Sequence, residues 1–82
     1  SSEEDFYFDT QIYPNPVDTY CFIQTVENNC IIRVFSIDGV MQKKIFSKSS
    51  LTKLDLNDFS SGIYFIEILQ NNKREYKKII LQ

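Results

Sequence analysis

The sequence predicts an all-β fold, and three observations carry the prediction. Short runs rich in Ile, Val, Phe, Tyr and Thr, which suit a pleated and half-buried surface, recur at roughly 8–12-residue spacing. Between them stand Asn28-Asn29, Asp38-Gly39, Asn57-Asp58, Ser60-Ser61-Gly62 and Asn71-Asn72, all good turn chemistry. No stretch of about ten residues keeps a helical period, and alanine, the best helix former, is absent.

Taken in order, Tyr20–Val26, Cys30–Ile37, Val40–Phe46, Leu51–Leu56, Ile63–Gln70 and Arg74–Leu81 read as strands. Side chains alternate between faces along a strand, so Ile32 and Val34 share a face, as do Leu54 and Leu56, and Tyr64, Ile66 and Ile68. Asp38-Gly39 is the strongest turn signal, because a type I′ hairpin turn needs positive φ at both central residues. The connections are too short for crossover helices, which excludes parallel βαβ topology. An antiparallel sandwich or a small barrel follows. Residues 1–11 read as an acidic lead-in or linker and residues 12–82 as the domain; an alternative first strand would use Phe6, Tyr7 and Phe8.

Composition narrows the function. The chain has 82 residues, enough for one small domain. A domain of this size buries only about 60% of the surface its unfolded chain exposes, so the core must be compact. Nine basic residues against 11 acidic give a net charge of −2. Nucleic acid is a poor partner for such a chain, since phosphate binding leans on a cationic footprint. No run approaches the roughly 20 apolar residues of a transmembrane helix. Ser1-Ser2-Glu3-Glu4-Asp5 has neither the basic start nor the apolar segment of a signal peptide. The chain therefore reads either as intracellular or as a fragment whose signal lies elsewhere.

Charge is uneven along the chain. Residues 1–18 hold Glu3, Glu4, Asp5, Asp9 and Asp18 with no basic residue, while the last ten hold Lys73, Arg74, Lys77 and Lys78 against Glu75.

Histidine is absent, which removes the commonest general base and metal ligand together. Serines therefore have no histidine partner, and Asp55/Asp58 sits in turn-like sequence where a carboxylate caps a turn. With only Gly39 and Gly62, no Gly-rich phosphate loop exists. No catalysis, cofactor or metal is expected. If Tyr20–Val26 and Cys30–Ile37 pair as a hairpin around Glu27-Asn28-Asn29, Cys30 faces Val26 and Cys21 faces Val34 or Phe35. The cysteines would then lie well beyond the roughly 7 Å limit for a disulfide and act as two separate small hydrophobes.

One segment stands apart. Tyr13-Pro14-Asn15-Pro16-Val17 carries two prolines one residue apart. Each fixes its own φ and restricts its predecessor, so the segment is stiff and extended and cannot pair continuously in a sheet. It reads as a rigid lead-in or edge segment, or as a recognition feature.

In order and spacing these pieces resemble a known family. Tyr13-Pro14-Asn15-Pro16-Val17 is similar to its opening motif, and Val34-Phe35-Ser36-Ile37-Asp38-Gly39 to its central strand and turn. Leu54-Asp55-Leu56, followed by Gly62-Ile63-Tyr64-Phe65-Ile66, resembles its middle block, and Tyr76-Lys77-Lys78-Ile79-Ile80-Leu81-Gln82 its basic-then-apolar final strand. The pattern is that of the type IX secretion system C-terminal sorting domain, type A, over about residues 12–82. Val40, where the family often has a basic residue, Gln82 in place of a terminal Lys or Arg, and the two cysteines depart from it.

The resemblance implies a compact antiparallel Ig-like β-sandwich of about seven short strands. It implies a secretion signal that directs an attached upstream cargo from the periplasm across the outer membrane. The partners would be the type IX machinery, including its outer-membrane shuttle and a sortase-like signal peptidase that cleaves N-terminal to Tyr13. Its motif residues here are Pro14, Asn15, Pro16, Asp38, Gly39, Gly62, Tyr64, Lys77 and Lys78. Gly62 is expected to supply a special φ, and Tyr64 to anchor the core with its hydroxyl at the rim. The Lys77-Lys78 strand offers a docking edge by strand addition or charge.

Two rival readings are a non-catalytic Ig-like module that binds carbohydrate or a cell-surface partner, and a spacer. Tyr7, Tyr13, Tyr20 and Tyr76 could form a stacking platform for the former. Free edge strands could also swap into a homodimer.

Overall fold

A computed structural model describes residues 10–82. Seven strands run β1 (Gln11–Tyr13), β2 (Tyr20–Gln24), β3 (Cys30–Ser36), β4 (Met41–Ser47), β5 (Leu51–Asp55), β6 (Gly62–Gln70) and β7 (Lys73–Leu81). They form a three-stranded sheet in the order β1-β2-β5 and a four-stranded sheet in the order β4-β3-β6-β7. Every strand pair is antiparallel. The fold is the β-sandwich expected, rather than a barrel. The alternative first strand at Phe6–Phe8 lies outside the described residues. Among the described residues no helix is long and apolar enough to cross a membrane.

Alternation along the strands builds the core. Cys21 and Ile23 of β2, Leu54 of β5, Ile32 and Val34 of β3, Tyr64, Ile66 and Ile68 of β6, and Ile79 and Leu81 of β7 turn inward and are buried. Val17 and Leu56, from the connections, join them. Burying each Val, Leu or Ile contributes about 1.5–3 kcal/mol, and this interior is the main source of stability.

Two turn expectations are corrected. The segments around Cys21 and Cys30 do not form a hairpin: β2 pairs with β1 and β5, whereas β3 pairs with β4 and β6. Residues between β2 and β3 instead carry the chain from one sheet to the other. Both cysteines are nevertheless buried and free of any disulfide. Burial pushes the Cys21 thiol up to about 11, so it stays a neutral apolar group.

Asp38-Gly39 is not a two-residue I′ turn. The Gly39 amide donates to the Ser36 carbonyl at 2.9 Å and the Ser36 amide to the Val40 carbonyl at 2.9 Å. Only Gly39 has positive φ there, at 84°. That is a turn closed by a glycine in the left-handed region, one residue longer than the expected turn. The Ser36 hydroxyl donates to the Asp38 carboxylate, which holds that acid below its ordinary range. The positive-φ pair falls at Asn71 and Asn72, 49° and 63°, between β6 and β7.

Candidate functional site: a clamped last strand

β7 is an edge strand, paired with β6 on one side only. Its other side is closed from Lys78 to Gln82 by the proline segment. The Asn15 side-chain amide donates to the Lys78 carbonyl at 3.1 Å, and the Asn15 side-chain oxygen accepts the Ile80 amide at 3.1 Å. One side chain thus does what a neighbouring strand's backbone would do.

The main chain takes over two residues later. The Val17 amide donates to the Ile80 carbonyl at 2.7 Å, and the Gln82 amide donates to the Val17 carbonyl at 2.8 Å. Val17 meets Leu81 in a short parallel bridge, its side chain fully buried.

The chemistry of the segment explains this arrangement. Pro14 and Pro16 lack N–H donors, so neither could continue a ladder. Asn15, between them, carries both a donor and an acceptor on a short side chain and reaches β7 in their place. Both X–Pro bonds of the segment are cis.

The structure brings most of the sequence-predicted residues to one end of the four-stranded sheet. Ser36, which leads into Asp38-Gly39, lies opposite Tyr64, and Tyr64 lies opposite Ile79. Gly62 faces Leu81 across the β6–β7 ladder and adopts φ 151°, a region that other residues rarely occupy. The Tyr64 ring packs edge-on against Phe59 at 5.4 Å, and its hydroxyl donates to the Ser60 carbonyl at 2.6 Å. Asp38 and Gly39 lie at this end, and among the described residues their hydrogen bonds go to Ser36 and not to Asn15 or Val17. Lys78 touches Asn15 through its carbonyl and leaves its side chain exposed, whereas Lys77 is half-buried and pairs with Glu75 at 3.2 Å.

Sequence reasoning missed Glu67. It sits in mid-strand, only 1% exposed, on the outer face of the four-stranded sheet. Register places Arg33 opposite it on β3 and Tyr76 opposite it on β7. Arg33 donates to one carboxylate oxygen, the Tyr76 hydroxyl to the other at 2.7 Å, and Arg74 lies 3.4 Å from that second oxygen. The Arg33 hydrogen bond is the main reason the Glu67 carboxyl is held below its ordinary 4.5, against the opposing pull of desolvation. A lone acid inside the apolar run Ile63–Leu69 was the available signal.

Of the four tyrosines that could form a platform, Tyr13 and Tyr20 come together around Phe22 on the outer face of the three-stranded sheet. Tyr76 lies on the other sheet, and Tyr7 lies outside the described residues.

None of the curated proteins matches this chain. A solved structure similar to it is that of PorZ, titled an essential bacterial surface component of the type-IX secretion system of Porphyromonas gingivalis. The TM-score is 0.80 at 18% identity, over 100% of this chain and 12% of that one. At this identity the likeness establishes the fold alone, and the chain spans a small part of that protein's length. The sequence itself carries the assignment: residues 11–82 match the secretion system C-terminal sorting domain, and the chain belongs to that family of type IX sorting domains.

Proposed function

We propose that this domain is the address by which an upstream cargo of the same precursor is carried from the periplasm across the outer membrane. The type IX machinery, including its outer-membrane shuttle, reads the domain, and a sortase-like surface peptidase then removes it. The domain performs no chemistry of its own.

Recognition rests on Pro14, Asn15, Pro16, Asp38, Gly39, Gly62, Tyr64, Lys77 and Lys78, with β7 as the element presented to the machinery. The observation that supports this reading most is the Asn15 bridge to Lys78 and Ile80, since it ties the opening motif to the final strand. A terminal strand held in this way keeps a fixed shape, and a fixed shape lowers the ordering cost of docking.

A periplasmically targeted reporter fused to residues 1–82 tests the reading in a strain with a working type IX system. Surface display of the fusion, lost when Lys77–Gln82 is removed and lost in a secretion-defective strain, is the expected result. A folded full-length fusion that stays periplasmic overturns it.

A further inference from the structure

The outer face of the three-stranded sheet carries a recess that shares only Pro14 with the residues proposed for sorting. Tyr13, Pro14, Asp18, Thr19, Tyr20 and Phe22 line an open volume of about 480 Å³. That is within the roughly 300–1,000 Å³ of small-ligand sites. Alternation along β2 sends Cys21 and Ile23 into the core and Tyr20 and Phe22 outward, and Tyr13 lies opposite Phe22 on β1.

The rings make a shelf with a wall. Tyr13 and Phe22 are tilted by only 35° with centroids 5.9 Å apart, while Tyr20 stands at 81° to Phe22 at 5.6 Å. Tyr13 is 44% exposed and Tyr20 42%.

Three polar groups adjoin this apolar shelf. Neither the Asp18 carboxylate nor the Thr19 hydroxyl makes a hydrogen bond or ion pair with any described residue. The Lys53 ammonium lies 4.3 Å from the Tyr20 centroid, with no carboxylate partner among the described residues. An exposed apolar shelf beside an acceptor with no partner among the described residues, a hydroxyl and a cation matches one ligand chemistry closely. A pyranose ring has one face of C–H bonds that packs on an aromatic plane and hydroxyls around its rim that need both donors and acceptors.

An extended peptide fits less well. β2 is the central strand of its sheet, with its backbone paired on both sides, and β1, the edge strand that carries Tyr13, is only three residues long and offers little for strand addition. Pro14 at the margin offers no N–H. A cationic ligand would meet the Lys53 charge already held against Tyr20.

We propose that the Tyr13–Tyr20–Phe22 recess binds a hexose unit of a glycan, with the rings stacking the sugar and Asp18, Thr19 and Lys53 bonding its hydroxyls. The binding contacts come from side chains outside the proposed sorting set, Pro14 at the margin aside, so either reading can fail without the other.

Titration of the labelled 82-residue chain with maltohexaose, mannohexaose and galactohexaose, followed by NMR, tests it. Saturable shifts of the Tyr13, Tyr20 and Phe22 ring signals with at least one hexaose are expected. Tyr20→Ala should weaken that binding about tenfold or more, and Asp18→Asn severalfold, as loss of one stacking ring and one charged acceptor implies. Phe46→Ala, on the outer face of the other sheet, should leave it unchanged. Should Tyr20→Ala lose the native spectrum, Asp18→Asn carries the comparison alone. The proposal is overturned if no hexaose gives saturable shifts, or if folded Tyr20→Ala and Asp18→Asn both bind like the parent. It is also overturned if a proline-rich decapeptide shifts these rings and the hexaoses do not, which would make the recess a peptide site.

Discussion

The two halves of β7 lie on the same free edge of the same sheet, yet their backbones are finished differently. From Lys78 to Gln82 the outward-facing amides and carbonyls are closed by Asn15 and Val17. Alternation points the same groups of Arg74 and Tyr76 to that edge, where no described residue closes them. The side chains reverse the pattern. In the closed half Ile79 and Leu81 enter the core, while in the open half Arg74 and Tyr76 lie over Glu67 on the outer face. One half is therefore secured by backbone closure and apolar burial, and the other by charge. An exposed edge invites pairing with other chains, and cationic side chains are a usual way to discourage it.

The comparison predicts unequal costs. Ile79→Ala removes a fully buried side chain from the closed half and should destabilise the domain by about 2–5 kcal/mol in denaturant unfolding. Tyr76→Phe removes only the hydroxyl that donates to Glu67 and should lower stability far less. Equal losses would mean that the open half contributes as much to the core as the closed one.

Acid should act on the open half. The folded-state value of Glu67 lies below its ordinary 4.5, so its contribution is fully present above that value and disappears as pH falls through the lower, folded one. The unfolding midpoint should hold at neutral pH and drop as the pH is taken below about 4.5. Glu67→Gln should be less stable at neutral pH, since Arg33 loses its charge partner, and should show a flatter acid limb. Asp38, held low by Ser36, leaves some slope in that variant. An acid limb as steep as the parent's would assign the effect to other carboxylates.

The strands were legible in the sequence because β-branched and aromatic runs alternate where one face is buried. The sequence places six of the seven to within one or two residues but not β1, as three residues ahead of a proline are too few to show a period. Pairing was less legible than position. A short turn-like sequence looks the same whether the chain folds back in one sheet or crosses to the other, and Glu27-Asn28-Asn29 does the second. Asp-Gly fits both a two-residue turn and a longer one closed by the glycine, and nothing local decides between them. The family motif marked Pro14, Asn15 and Pro16, but no local pattern could show that Asn15 bonds residues 63 and 65 positions away. Glu67 was hidden for the same reason, because its partners Arg33 and Tyr76 come from two other strands.

The finest test of the comparison is Asn15→Ala. The substitution deletes the acceptor of the Ile80 amide and the donor to the Lys78 carbonyl, yet leaves the Val17 backbone bonds in place. Because the bridge is solvent-exposed, global stability should fall by only about 1 kcal/mol. Local opening is another matter, since exchange of the Ile80 amide reports whether that one bond is made. Hydrogen exchange followed by NMR should show Ile80 exchanging about tenfold faster, while amides of central β6 slow or quicken only with the global change. Asn15→Asp keeps the acceptor and loses the donor, and should fall between the two. If Ile80 exchanges at the parent rate in Asn15→Ala, Val17 alone closes the edge. The two halves of β7 would then differ by a main-chain bridge, and Asn15 would be free of any structural duty that competes with recognition.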